Sequence, residues 1–146
     1  GGGKTTLLRD LVRCLSEGGW RVSLIDERGE AAVMVGGEPQ MDVGPRTDVL
    51  DGCPKGPALL MLLRGMNPQV LAADEITAPE DVAALVSAAG CGVTLLATAH
   101  GGSWEELSLR PLYRELLGAG IFQKFVFISL AAGKRVYTVQ DGGGPP

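Results

Sequence analysis

The sequence lacks the cysteine and histidine patterns of a disulfide-stapled domain or a zinc site. Its 146 residues contain three cysteines, an odd number with no C-x-x-C pair, and a single histidine. Disulfide frameworks use cysteines in even numbers, and zinc sites use closely spaced cysteine and histidine ligands. We therefore expect a protein of a reducing compartment, the cytosol, whose fold depends on neither cross-links nor zinc.

Positive charge, aromatic side chains and long apolar runs are also scarce. Lysine and arginine number 13 against 17 aspartates and glutamates, and aromatic residues make up 5% of the chain. Binding to nucleic acid or an anionic membrane needs a positive surface, and binding to single strands also needs aromatic side chains for stacking. No apolar run reaches the roughly 18 residues of a membrane span, and no signal peptide is visible. We therefore expect no nucleic-acid partner and no transmembrane segment.

The chain is instead rich in apolar residues and glycine. Hydrophobic residues make up 45% of it, and 22 residues are glycine, several of them at predicted turns. The length suits one α/β domain with a continuous core. We assign residues 1–140 to this domain and predict a disordered tail, rich in Gly and Pro, at residues 141–146.

The N-terminal stretch GGGKTT predicts a phosphate-binding loop, because it supplies the final glycine, lysine and threonine of the pattern G-x-x-x-x-G-K-[ST]. In that loop backbone N–H groups surround the β- and γ-phosphates, the lysine adds positive charge and the hydroxyl binds Mg²⁺. Apolar residues follow at helical spacing, which places the lysine at the positive end of a helix. The predicted nucleotide-binding residues are Gly1, Gly2, Gly3, Lys4, Thr5 and Thr6, with Thr5 also a ligand of Mg²⁺.

The match at the N-terminus is partial, and it leaves an alternative. The first glycine of the pattern and the strand that feeds the loop would both precede residue 1. We therefore expect the first strand of the fold and an N-terminal domain to be missing from this fragment. A flexible Gly-rich tag followed by an ordinary amphipathic helix would produce the same six residues.

A second motif follows about seventy residues later. The run Val70–Ala73 and the acids Asp74 and Glu75 predict a buried parallel strand with carboxylates at its C-terminal end. Nucleotides bind beyond that end of such strands. We predict that Asp74 holds Mg²⁺, through water, and that Glu75 polarises the attacking water. An apolar run that ends in Asp-Glu is often only a strand meeting a loop, but after a Gly-Lys-Thr helix it indicates a nucleotide site.

Two further positions complete the candidate catalytic set with Glu75. His100 ends the predicted strand that starts at Val93, where it is either a sensor of the γ-phosphate that orients water or an ordinary cap or loop residue. Arg46 lies in residues 29–54, a stretch rich in Gly, Pro and Asp that predicts a long loop, either functional or disordered. It either reaches a phosphate of its own or a neighbouring subunit, or forms an exposed ion pair with a nearby aspartate.

The remaining elements follow from periodicity and turn residues. Residues 20–25 predict a buried strand, and the charged triplet Asp26–Arg28 after it either faces the nucleotide or is a solvated strand end. We predict helices at 55–67, 78–89 and 103–117, the last interrupted by Pro111. Residues 122–130 and 135–139 predict a β-hairpin across the turn 131–134.

Several stretches resemble known families. The run 64–76, RGMNPQVLAADEI, and residues 98–101 after it resemble the hexameric secretion and pilus-retraction ATPases, whose Walker B strand and histidine box have this layout. Residues 25–28, 39–44, 46–55 and 97–101 are similar to the family of stage III sporulation protein AA, predicted ATPases of the channel between mother cell and forespore. Thr77 departs from that pattern, since the family commonly has glycine there.

The resemblance implies an α/β fold, a three-layer RecA-like P-loop NTPase core with a mostly parallel sheet and a C-terminal β-hairpin. It implies ATP and Mg²⁺ as cofactors, and an ATP-hydrolysing motor subunit that energises a secretion-like membrane channel. The full-length protein would be a homo-oligomer, a hexamer, peripheral at the cytoplasmic face of the membrane and partnered by membrane-embedded channel proteins. A ring of this kind needs an arginine donated across the subunit interface, for which Arg28, Arg46 and Arg64 are candidates.

Three other functions agree less well with the sequence. A RecA-like ATPase associated with nucleic acid is disfavoured by the acidic balance of the chain. A nucleotide-bound scaffold that does not hydrolyse is disfavoured by the intact Asp-Glu pair. A small-molecule P-loop kinase would usually carry a lid with several arginines, which this sequence does not show.

Overall fold

A computed structural model describes the chain over residues 3–26, 29–35, 38–39, 41–51, 64–76, 78–99 and 103–141. Its helices are α1 (Lys4–Glu17), α2 (Pro79–Gly90), α3 (Trp104–Leu109) and α4 (Pro111–Gly118). Its strands are β1 (Val22–Asp26), β2 (Met34–Val35), β3 (Glu38–Pro39), β4 (Thr47–Asp51), β5 (Val70–Ala73), β6 (Thr94–Ala97), β7 (Lys124–Ala131) and β8 (Lys134–Asp141). Residues 64–66 are also helical, and the rest of the helix predicted at 55–67 lies largely outside the described residues.

Four strands form a parallel sheet in the order β4-β1-β5-β6. The central strands β1 and β5 are buried along their whole length. Strands that are covered on both faces read as unbroken apolar runs, which is why their sequences show little alternation. All four strands end at the same edge, so the residues that follow them share one rim of the sheet.

The sheet separates two apolar clusters, and alternate residues of each strand enter different clusters. Val22 and Leu24 of β1 pack against α1, whereas Ile25 packs with α2, α3 and α4. On β5, Val70 and Ala72 join the α1 side, and Leu71 and Ala73 join the other. Successive side chains of a strand point to opposite faces, so this division makes three layers, with helices on both sides of the sheet. The predicted three-layer α/β architecture with a mostly parallel sheet is confirmed.

The predicted C-terminal hairpin is also confirmed. Strands β7 and β8 pair antiparallel with Val126 opposite Val139 and Ala131 opposite Lys134. The two residues between them, Ala132 and Gly133, both have positive φ, 53° and 76°. That combination gives the two-residue turn whose twist matches the twist of paired strands.

Strand β4 was not predicted from the sequence. Among the described strands it lies at one edge of the sheet, and it pairs with β1 in register, Val22 opposite Thr47 and Asp26 opposite Asp51. Only two of its residues, Val49 and Leu50, are apolar, and they are flanked by threonine and aspartate. An edge strand buries less side-chain surface than a central one, so its residues carry little apolar pattern. The separate β2–β3 ladder in the same region was also not predicted, because two residues in each strand are too few to show a period.

The helix ends match the capping chemistry of the sequence. Ser103 accepts a hydrogen bond from the backbone N–H of Glu106 at 3.2 Å and so caps α3. Pro111 occupies the first turn of α4, where its missing N–H costs no helical bond, and separates α4 from α3. None of the helices within the described ranges is long and apolar enough to span a bilayer.

Candidate functional site

The Gly-Lys-Thr motif lies at the start of α1. Gly3 has φ 87° and ψ 11°, a left-handed conformation, and no side chain caps the helix there. The first amide N–H groups of a helix have no partner inside it, and together with the helix dipole they attract anions. Lys4 and Thr5 are half-buried, whereas Thr6 is exposed. Gly1 and Gly2 lie outside the described residues.

The second predicted motif meets the first. The Thr5 hydroxyl lies 3.2 Å from each carboxylate oxygen of Asp74 and donates a hydrogen bond to them. Thr98 donates a second hydrogen bond to Oδ1 of Asp74 at 2.9 Å. The three side chains come from α1 and from the residues after β5 and β6, and they form a connected group at the C-terminal edge of the sheet.

The strand pairing explains why these residues converge. Ala73 of β5 lies opposite Ala97 of β6, so Asp74 and Thr98 are the next residues of neighbouring strands. Backbone hydrogen bonds continue the ladder past the strand ends: the Thr98 N–H donates to Ala73 O at 3.1 Å and the Ile76 N–H donates to Thr98 O at 2.9 Å. The backbone at this edge is therefore held by the sheet itself.

Glu75 has a backbone conformation that non-glycine residues rarely adopt. Its φ is 64°, and its N–H donates to Thr98 Oγ1 at 2.7 Å. Residues kept in the left-handed region store strain and are concentrated at functional sites. The half-buried Glu75 thus turns the chain sharply after Asp74, and the hydroxyl of Thr98 bonds both acidic residues.

Asp74 is 7% exposed, and its environment disfavours the negative charge of its carboxylate. Burial raises the pKa of Asp74, the hydrogen bonds from Thr98 and Thr5 lower it, and the negative charges of Asp26 and Glu30 raise it, with a net increase. A positive ion beside the carboxylate would offset both the burial of its charge and the repulsion from Asp26 and Glu30. The electrostatics therefore favour a cation next to Asp74.

The sequence leaves the role of Asp26 open. In the structure Asp26 is buried and binds the backbone of residues 31–32. Its two carboxylate oxygens accept the N–H groups of Ala31 and Ala32 at 3.1 Å and 2.9 Å. Arg9 of α1 also binds this segment, because its guanidinium donates hydrogen bonds to Ala31 O at 2.6 Å and to Glu30 O at 3.0 Å. Residues 30–32 are thus tied to both β1 and the motif helix. The role of Arg9 was missed, and only its place on the helix that carries the motif could have drawn attention to it.

Arg46 does not join this group within its own chain. It is exposed and directly precedes β4, and its carbonyl accepts the N–H of Val22 at the start of β1. Arg46 therefore lies at the amino ends of the strands, whereas Thr5 and Asp74 meet at the carboxyl ends. Arg64 lies before β5, in the short helical stretch 64–66, and is also exposed. His100 and Arg28 fall outside the described residues, so their placement stays a prediction.

A cavity of about 450 Å³ adjoins the group. Its walls are mostly apolar and come from α1, β6, α4 and the hairpin, and Lys4 and Thr98 line its polar part. Among the described strands β6 ends the sheet on this side, so its outer edge faces the cavity. The candidate site thus opens toward a large space between the sheet and the hairpin.

The parallel sheet, the Gly-Lys-Thr helix start and the meeting of Thr5 with Asp74 define an α/β domain with the P-loop ATPase fold. The VirB11 ATPase from the Brucella suis type IV secretion system, solved in complex with sulphate, superposes with a TM-score of 0.68 at 18% identity, covering 98% of this chain and 46% of that one. The Legionella pneumophila ATPase DotB gives 0.63 at 20% identity, covering 95% and 42%. These likenesses establish the fold.

The chain belongs to the family described as sporulation stage III, protein AA, whose family model matches residues 1–142. Stage III sporulation protein AA of Bacillus subtilis (strain 168) is 42% identical to it over 136 residues, which cover 90% of this chain and 44% of the relative. The chain therefore spans less than half the length of that relative. The family resemblance inferred from the motifs is confirmed.

Proposed function

We propose that this chain is the nucleotide-hydrolysing domain of an ATP-driven motor. The observation that carries the proposal is the pair of 3.2 Å contacts from the Thr5 hydroxyl to the Asp74 carboxylate, which join two motifs 69 residues apart in sequence. P-loop NTPases hold Mg²⁺ between a hydroxyl of the loop and an aspartate at a strand end. Mg²⁺ prefers oxygen ligands of this kind and keeps several waters.

The residues present fit a complex of Mg²⁺ and a nucleoside triphosphate. The Thr5 hydroxyl uses its proton toward Asp74, which leaves its oxygen lone pairs available to a metal. Asp74 lies in surroundings that raise its pKa, chiefly through burial, so a cation would stabilise the carboxylate. Lys4 and the N-terminal amides of α1, with Gly1, Gly2, Gly3 and Thr6, would bind the phosphates. When bound, Mg²⁺ supplies charge neutralisation to the phosphoryl group.

Glu75 is our candidate general base. Its backbone is fixed by the 2.7 Å hydrogen bond to Thr98, directly after the metal-binding Asp74. A carboxylate held there would orient a water molecule and accept its proton during attack on the terminal phosphate. His100 lies two residues after Thr98 in sequence, and we assign it the role of sensing the γ-phosphate. Arg46 lies at the opposite rim of its own subunit, so a catalytic role for it requires a neighbouring subunit.

At the level of the whole protein we propose a ring, a homo-hexamer at the cytoplasmic face of a membrane, that energises a membrane-embedded channel complex. The family name, sporulation stage III, protein AA, supports a role in sporulation. The related folds of VirB11 and DotB belong to ATPases, and VirB11 is a component of a type IV secretion system. VirB11 was solved with sulphate, an anion with the shape of a phosphate group. Residues 1–140 would form the ATPase domain of this assembly.

The test is the substitution Glu75→Gln in the full-length protein. We expect ATP binding to persist and steady-state turnover to fall by about 10² to 10⁴, the usual contribution of general acid–base catalysis. Glu115→Gln is the matched control, because it makes the same change on an exposed turn of α4 and should leave turnover unchanged. If the Glu75→Gln protein hydrolysed ATP as fast as the unmodified protein, the assignment of Glu75 would be wrong. Binding without turnover in the unmodified protein would indicate a nucleotide-bound scaffold instead.

A further inference from the structure

The side chain of Arg135, on the hairpin, is packed directly against the phosphate-loop glycine. A Cβ atom built on Gly3 would lie 2.6 Å from Cζ of Arg135 and 2.8 Å from both Nε and Nη1. Gly3 also has φ 87°, which L side chains rarely adopt. Glycine at this position therefore serves two purposes: it permits the loop conformation, and it leaves room for a guanidinium.

Within the part of the chain that the structure describes, no carboxylate forms an ion pair with this guanidinium. Arg135 also donates no side-chain hydrogen bond to the residues within these ranges. Arg135 is exposed, and its backbone pairs with Leu130 next to the hairpin turn. A guanidinium carries five N–H donors in a rigid fork that matches phosphate oxygens.

The position of Arg135 complements that of Lys4. Gly3 directly precedes Lys4, so the Arg135 guanidinium lies beside the start of the helix that carries the lysine. The amide groups at that helix end already favour an anion. An anion bound there would meet positive charge from α1 and from the hairpin of the same chain.

We infer that Arg135 is a phosphate-binding residue of the nucleotide site and contacts the triphosphate from within the same subunit. The inference rests on the proposed function and extends it. Phosphoryl-transfer sites use an arginine from their own chain or from a neighbour to stabilise the phosphate charge. The hairpin supplies such a group in cis, in addition to any arginine donated across a subunit interface.

The experiment measures the affinity of the full-length protein for Mg²⁺-ATP and for inorganic tripolyphosphate, by competition with a fluorescent nucleotide. Arg135→Ala should lower the affinity for both ligands by a similar factor, about tenfold or more, which is the usual effect of losing a charge-assisted contact. Arg135→Lys keeps the charge without the fork and should show a smaller loss. Lys134→Ala, which removes the neighbouring positive charge on the same hairpin, should leave both affinities unchanged.

Three results separate the possible failures. If Lys4→Ala abolishes ATP binding while Arg135→Ala binds both ligands normally, this inference is overturned and the proposed function stands. If Arg135→Ala weakens ATP but not tripolyphosphate, the arginine contacts the nucleoside, and the phosphate role is wrong. If Lys4→Ala binds ATP normally, the proposed nucleotide site itself fails. Should Arg135→Ala lower the unfolding temperature of the ligand-free protein, Arg135→Gln replaces it under the same criteria.

Discussion

Thr98 Oγ1 donates a hydrogen bond to Oδ1 of Asp74 at 2.9 Å, across two adjacent parallel strands. The same hydroxyl accepts the backbone N–H of Glu75 at 2.7 Å. One small side chain therefore positions both acidic residues of the proposed site: it orients the carboxylate of the first and fixes the backbone of the second. Thr98 is a positioning residue for Asp74 and Glu75.

This relationship predicts different outcomes for two substitutions of Thr98. Thr98→Val keeps the shape and removes both hydrogen bonds, so we expect ATP turnover in the full-length protein to fall roughly 10- to 100-fold, as for lost hydrogen bonds to a charged group. Thr98→Ser keeps the hydroxyl and should retain most of the activity. Steady-state kinetics with both variants provide the measurement. Equal rates for valine and serine would show that the hydroxyl does not position the two acids.

The buried negative charge of Asp74 is expected to lower the stability of the ligand-free protein. Asp74→Asn removes the charge with little change in shape, so the ligand-free protein should become more stable at neutral pH, on the order of 1 kcal/mol, while Mg²⁺-dependent ATP binding is lost. Urea unfolding of both proteins without nucleotide or Mg²⁺ measures the difference. A clear loss of stability in Asp74→Asn would mean that the carboxylate is a net stabilising group.

The difference between these two proteins should also depend on pH. Burial is the largest cause of the raised pKa of Asp74, so the folded protein binds this proton more tightly than the unfolded chain does. The loss of stability caused by ionising Asp74 is therefore absent below the ordinary aspartate pKa. It grows as pH rises from that pKa to the raised pKa of the folded protein, and above the raised pKa it is complete. The stability advantage of Asp74→Asn should thus shrink on acidification. An advantage that grew at acidic pH would contradict the direction of the shift.

The contact between Gly44 and α1 predicts a large effect of one added methyl group. A Cβ on Gly44 would lie 2.6 Å from Ser16 Oγ, which already accepts the N–H of Arg46 at 2.6 Å. The φ of Gly44 is 93°, so Gly44→Ala should cost about 3 kcal/mol through backbone strain and overpacking. Gly92→Ala is the matched control, since Gly92 has φ 84° with nothing within 4 Å and bears only the strain. Equal losses in thermal or urea unfolding would show that the space beside Ser16 is not limiting.

The elements that sequence patterns predicted well are those with a local cause. Helix α1 has a full apolar stripe and a glycine at its end, and β5 is an unbroken apolar run, so their own residues specify them. Strand β4 has neither property. Its place in the sheet comes from pairing with β1 across residues 27–46, which separate the two strands, and no local pattern indicates that pairing.

The candidate site divides in the same way. The two motifs predict Lys4, Thr5, Asp74 and Glu75 as site residues, because a phosphate loop and an acidic strand end each consist of consecutive residues. The part played by Thr98 depends on β6 lying beside β5, and the approach of Arg135 to Gly3 depends on where the hairpin packs. Asp26 shows the limit most clearly, since the sequence offered a group facing the nucleotide or a solvated strand end, and neither interpretation includes its buried hydrogen bonds to Ala31 and Ala32.

Apart from β4 and the short β2–β3 ladder, local chemistry in the chain decided the type of each element and the two motifs, because hydrogen bonding within a helix and the apolar covering of a strand act over neighbouring residues. Tertiary structure alone decided which groups meet. Examples are the 3.2 Å contact of Thr5 with Asp74 and the hydrogen bonds of Asp26 to residues 31–32. A further example is the packing of Arg135 against Gly3. These distances follow from strand order and layer packing, which are properties of the whole core.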